Sequence, residues 1–135
     1  GRDDQHPKRR GLTRVDQLRE AGVTVAAGQD NIQDAFYQYN RGDMLETAHL
    51  MAHAVHLQAP SERQAVWRMI TENAASVLDV EYGIKEGNPA TLNVFPQAIE
   101  TPTDAIYEQR PPRIVMHDGS IVAETKQDRQ LHRGN

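Results

Sequence analysis

Three histidines, His49, His53 and His56, stand at i, i+4 and i+7, so on a helix they share one face and two of them could reach one metal ion. A zinc-binding helix ordinarily adds an acid between its histidines and a third ligand nearby, and Leu50 and Ala52 offer neither. The spacing leaves two readings, metal ligation or neutral imidazoles lining a helix–helix or subunit contact, and favours the second. Asp30 is the better candidate. It follows a short, β-branched apolar run, and a lone carboxylate at the mouth of a buried strand can bind a hard or borderline cation, act as a general base, or cap the next loop. Just beyond it, Phe36, Tyr37 and Tyr39 gather half of the chain's Phe and Tyr residues; they either pack the loop down or wall a pocket for a flat ring. Lys8-Arg9-Arg10 could form an anion site but reads as a solvated loop, because three charges in an acidic chain make a small field. The glycines around Asn88 form no phosphate loop, and neither a Gly-x-Ser-x-Gly nor a Ser/His/Asp arrangement can be assembled.

The elements that must position these residues follow from local pattern. Residues 1–11 are polar, with Pro7 and flanking glycines, and form a loop. Thr13 as N-cap, Val15 and Leu18 as an apolar stripe and Gly22 as terminator predict a helix over 14–21. The continuous apolar run 23–27 (VTVAA) predicts a strand buried on both faces, and helix, glycine, strand is the return half of an α/β unit. Functional groups in such folds collect at the carboxyl end of the strand, where Asp30 falls. A loop over 32–42 precedes a helix over 44–57, opened by Asp43 with Glu46 at N3. Pro60 starts a second helix that turns Ala65, Val66, Met69 and Ile70 inward, and Thr71 caps a third over 74–78. From Tyr82 onward glycine and proline rise and the apolar period shifts toward two, giving a strand over 90–95 and a hairpin of 113–117 and 120–124 about Asp118-Gly119. The tail 125–135 is polar and frayed.

Composition narrows the function further. A chain of 135 residues suits one ordinary domain, and 15 Lys+Arg against 19 Asp+Glu leave no cationic field for nucleic acid or an anionic membrane. With zero cysteines there is no disulfide, thiolate metal site or thiol nucleophile, so a metal would need His, Asp or Glu. No apolar run is long enough for a membrane span and no signal peptide opens the chain, which suggests a cytoplasmic protein. Only 38% of residues are hydrophobic and 5% aromatic, so the chain leans on something else to bury its apolar faces.

Several stretches together resemble one family. Gly1-Arg2 with 7–15 (PKRRGLTRV), 23–30 (VTVAAGQD), Gly42-Asp43-Met44-Leu45 with His49 and His53, and Tyr82-Gly83-Ile84 with Gly87-Asn88 and Ala90 are similar, in order, to the C-terminal portion of bacterial cytosine deaminases of the metal-dependent amidohydrolase superfamily. The resemblance implies an α/β fold: the C-terminal part of a (β/α)8 metal-dependent hydrolase barrel, over 1–80, plus the C-terminal strands of a small composite β-sandwich, over 81–135. A barrel alone needs about 250 residues, so the resemblance makes this chain one segment whose partner is the N-terminal remainder of the same enzyme, inactive by itself, in a homo-oligomer that acts on a small N-heterocycle. The family's eighth-strand Asp matches Asp30, which would bind a divalent metal, iron or zinc, and take part in proton transfer; the remaining ligands fall outside this chain. Asn31 stands where the family has a second Asp facing the pyrimidine, Gln29 where it has His, and Phe36 where it has a pocket Trp. The implied reaction is hydrolytic deamination of a cyclic amidine such as cytosine. Asp30-Asn31-Ile32 and Trp67-Arg68-Met69-Ile70-Thr71 also resemble a triazine-processing branch of the superfamily, which keeps isocytosine and alkylamino-triazines open as substrates, and a non-catalytic binding module is the rival reading. His49 and His53 match histidines remote from the metal, in keeping with the contact role.

Overall fold

Helix α1 (Val15–Glu20) is six residues long and buries Val15. It ends at Ala21, where the Gly22 N–H donates to Arg19 O and the Val23 N–H to Leu18 O, a paired closure that satisfies the last carbonyls. The cap expected of Thr13 is not made, since Arg14 occupies that position with no side-chain bond. In the computed structural model of the chain, Asp3, residues 5–7, residues 11–128 and Gln130 are described. Gly1-Arg2, the Lys8-Arg9-Arg10 cluster and the end of the tail lie outside the described residues. Two compact units form, Gly1–Val80 and Glu81–Asn135.

The first unit is helical around one small core. Asp43 caps α2 (Met44–Ala54) by accepting the Leu45 N–H at 2.9 Å. Glu46 takes Arg41, at 3.3 Å, instead of closing the cap. The helix stops three residues before the expected end. His56 turns into the left-handed region at φ 58°, the Leu57 N–H returns to Ala52 O at 3.0 Å, and the Leu57 side chain goes to 1% exposure in the core. Burying Leu57 outweighs one more helical turn. Pro60 opens α3 (Pro60–Ile70), with the Ala59 N–H donating to Glu62 Oε2 at 2.6 Å, and Val66 and Met69 are buried from it. Thr71 then breaks the helix (φ −129°, ψ −99°); its hydroxyl donates back to Trp67 O at 2.7 Å and does not cap α4 (Glu72–Leu78). Helices α2, α3 and α4 pack in succession, and Val15, Leu45, Ala48, Leu57, Val66, Met69 and Ala75 are the buried apolar residues. Each of the larger ones contributes about 1.5–3 kcal/mol on burial.

The strand expected over 23–27 is not formed. Among the described residues no neighbouring strand pairs with it, and Val23 is 49% exposed. A strand exists only where adjacent backbone satisfies its N–H and C=O groups, and the described residues offer no such neighbour. The segment is instead tied to the end of α3 and to α4. The Ala27 N–H donates to Met69 O at 2.8 Å, and Asn73 Nδ2 donates to Val25 O at 2.8 Å.

The second unit is a three-stranded antiparallel sheet in the order β1 (Leu92–Val94), β2 (Ile114–His117), β3 (Ser120–Glu124). The hairpin forms as the sequence predicts. Asp118 and Gly119 both take positive φ, 49° and 79°, as a two-residue loop of this hand requires. A bulge between Val115 and Met116 shifts the register, so Val115 faces Ala123 while Met116 faces Ile121. Helix α5 (Pro102–Glu108) is absent from the sequence prediction, which read this stretch as part of a Gly/Pro-rich β region. Its signal was present. The Thr101 hydroxyl oxygen accepts the Asp104 N–H and the Asp104 carboxylate accepts the Thr101 N–H, a capping box with Pro102 at the first helical position, and Ala105 and Ile106 are buried.

Candidate active site

The backbone leading to Asp30 is fixed by its neighbour. Gln29 Nε2 donates to Asp43 O at 2.9 Å, and Gln29 Oε1 accepts from Asn40 Nδ2. Asn40, the most buried polar residue among those described at 9% exposure, closes the network by accepting the Gly42 N–H on Oδ1 at 3.0 Å. Segment 28–30 is therefore stapled to the start of α2. Gly42 adopts φ 73°, and a side-chain carbon there would stand 3.3 Å from Ile32 Cδ1, so the loop closes against a residue without one. Between the staples, Asp30 is exposed and its carboxylate has no hydrogen bond or ion pair with any described residue.

Asn31 is held differently. Its Nδ2 donates to Asp34 Oδ2 at 2.5 Å, while Asp34 Oδ1 accepts the N–H groups of Phe36 and Tyr37 at 2.8 and 2.9 Å. Those backbone bonds, first from Tyr37 and then from Phe36, hold the Asp34 carboxyl below the ordinary aspartate value. The sign follows directly. A depressed folded-state pKa means the ionised form stabilises the loop above the ordinary value, and that contribution disappears as pH falls through the lower folded value. A carbon-detected titration should find Asp34 protonating below the value of 3.8 usual for aspartate. An ordinary midpoint would show that these bonds are absent in solution.

Phe36 and Tyr39 are 69% and 81% exposed, so neither packs the loop down. Tyr37 is half-buried and meets Tyr39 edge to face, with ring centroids 6.3 Å apart. Asp34 thus joins Asn31 to the backbone of Phe36, and Asp30 adjoins Asn31. The histidines are elsewhere. His49 and His53 stack in parallel on α2, with centroids 6.5 Å apart, and both are exposed, while His56 has left the helix. Being exposed, they line no contact among the described residues of this unit. Among the described residues no three His, Asp or Glu side chains converge as a metal site. One carboxylate with no partner among the described residues fits a single position in such a site and no more.

Sequence reading missed Asp34, Asn40 and the structural use of Gln29. The Asn31-x-x-Asp34 spacing, with backbone N–H groups two and three residues beyond Asp34, is an Asx-turn signal that could have found the first. Nothing local marks Asn40, because its partner Gln29 lies eleven residues away.

The Amidohydrolase family model matches residues 1–123. N-isopropylammelide isopropyl amidohydrolase of Pseudomonas sp. (strain ADP) is 32% identical over 112 residues, covering 82% of this chain and 27% of that protein. Pterin deaminase of Rhizobium rhizogenes is 30% identical over 131 residues, covering 93% of this chain and 29% of the other. Among solved structures, 5-methylcytosine deaminase from Klebsiella pneumoniae liganded with 5-fluorocytosine superimposes with a TM-score of 0.84 at 30% identity, over 98% of this chain and 32% of that one. N-isopropylammelide isopropylaminohydrolase from Burkholderia multivorans gives 0.71 at 29% identity, over 82% of this chain and 28% of the other. The chain spans less than a third of the length of these proteins, from 27% to 32%.

Proposed function

The chain belongs to the amidohydrolase family, and we propose that it forms the C-terminal part of a cytoplasmic enzyme that hydrolytically removes ammonia or an amine from an N-heterocycle, with cytosine the leading candidate. The observation that carries this reading is the Asp30 carboxylate. It stands exposed and uncommitted between two residues whose side chains are both committed, Gln29 to the α2 cap and Asn31 to Asp34. Residues 1–80 are read as the end of a hydrolase barrel and 81–135 as strands of a β-sandwich, completed by the rest of the enzyme within a homo-oligomer. The unpaired segment 23–27 supports this, as do the exposed Val77, Leu78 and Val80 in one unit and Ile121 and Val122 in the other, since large exposed apolar side chains in number call for a covering partner.

Asp30 would be one ligand of a divalent ion, iron or zinc. Such an ion, when bound, lowers the pKa of a water molecule toward neutrality. The Asp30 carboxylate would accept a proton from the attacking water and pass it to the departing nitrogen, so that ammonia or a neutral amine leaves. Asn31 meets the polar edge of the ring, and Phe36 covers its face. Isocytosine, pterin and an alkylamino-triazine are the other substrates to try, the last two because relatives are named for pterin and ammelide chemistry. The test compares release of ammonia or amine from these four by the 135-residue chain and by the complete polypeptide. We expect turnover of at least one by the complete protein and of none by the chain alone. Robust turnover by the chain alone would overturn the assignment of roles.

A further inference from the structure

Asp34 has no part in the chemistry proposed above, yet it bonds to both residues assigned to the pocket. An ionised carboxylate can only accept, so the Asn31 carboxamide must turn its nitrogen toward Asp34. With the oxygen turned there instead, two acceptors would face each other at hydrogen-bond distance. Asp34 cannot swing aside to relieve that, because its other oxygen is held by the Phe36 and Tyr37 N–H groups. The amide orientation of Asn31 is therefore set by Asp34.

Counting donors gives the consequence. Asn31 has two N–H groups and one carbonyl oxygen, and one N–H is consumed. One acceptor and one donor remain, as a ring edge that carries an N–H and a C=O requires. A carboxylate at position 31 would present acceptors only. Resting on the function proposed above, we infer that Asp34 is a positioning residue that fixes Asn31 to read the cyclic-amide (–NH–CO–) edge of the heterocycle. The class of substrate is then a ring that keeps an unsubstituted lactam beside the amidine that is hydrolysed.

Two measurements test this. In the 135-residue chain, the Asn31 side-chain amide should give an NMR signal displaced by its charge-assisted bond, and Asp34→Ala should return it to the ordinary position; an undisplaced wild-type signal overturns the inference without reference to activity. In the complete enzyme, cytosine is compared with its N1-methyl derivative, which lacks the ring N–H. Asp34→Asn places an N–H donor opposite Asn31, whose carboxamide then turns over to accept on its oxygen and leaves its N–H groups toward the ring, so kcat/KM for cytosine should fall about 10- to 100-fold, chiefly through KM. The preference over the methyl derivative should shrink by a similar factor. The exchange of both residues, Asn31→Asp with Asp34→Asn, restores the bond with its direction reversed. It should recover rigidity and part of the cytosine activity, since the new carboxylate still accepts from the ring N–H. Equal losses for both substrates, or no recovery in the exchange variant, would show a merely structural role and overturn the inference. Wild-type enzyme inert toward every heterocycle, with the NMR signal displaced, would fail the proposed function and take the substrate-reading role with it.

Discussion

Asp30→Asn in the complete enzyme should lower kcat about a thousandfold or more while leaving the thermal stability of this chain unchanged. The two halves of that result come from one observation. An exposed carboxylate with no partner among the described residues contributes almost nothing to folding, so its replacement by an isosteric amide should cost within about 0.5 kcal/mol. Its proposed work is chemical. A positioned group that takes and returns a proton accounts for about 10²- to 10⁴-fold, and loss of an anionic metal ligand adds to that. The checks are steady-state kinetics and metal content of the complete enzyme, and a melting curve of the 135-residue chain. A variant that keeps a tenth of wild-type kcat would remove Asp30 from the chemistry, and a large drop in melting temperature would make it a structural residue.

Met69→Ala should unfold the first unit or bring it to the edge of unfolding. Met69 is 1% exposed at the centre of the helical core, and Met→Ala at such sites costs about 2–5 kcal/mol through lost burial and the cavity left behind. Domains of this size have total stabilities of about 5–15 kcal/mol, and this unit, with seven buried apolar residues among those described, stands at the low end. The backbone of Met69 also accepts the Ala27 N–H that anchors the segment leading to Asp30, so loosening the end of α3 frees the candidate site. Val77→Ala, at a position 58% exposed, is the matched control and should shift the urea midpoint little. Equal midpoints for the two variants would show that the core is not where the structure puts it.

Much of this protein could be read directly from its residues. Asp43, Pro60 and the apolar spacing of Leu45, Ala48, Val66 and Met69 determine α2 and α3, because caps and helical periodicity act within a few positions. Asp118-Gly119 determines the hairpin for the same reason, since the loop conformation depends on two residues alone. The order of motifs around Asp30 resembles cytosine deaminases and led to the family that the comparisons bear out. Local pattern also misled in places. The run 23–27 has the composition of a buried strand but pairs with no strand, because a strand is made by its neighbours and the described residues supply none. Leu57 cut α2 short because the buried position available to it lay off the helix path. The tertiary structure alone decided which polar side chains were spent on holding the site and which were left free. Gln29 is bound by Asn40 and Asp43, eleven and fourteen residues away, whereas Asp30 beside it is bound by nothing described. Hydrogen-bond partners far apart in sequence meet only when the loop closes, so the free carboxylate appears only in the folded chain.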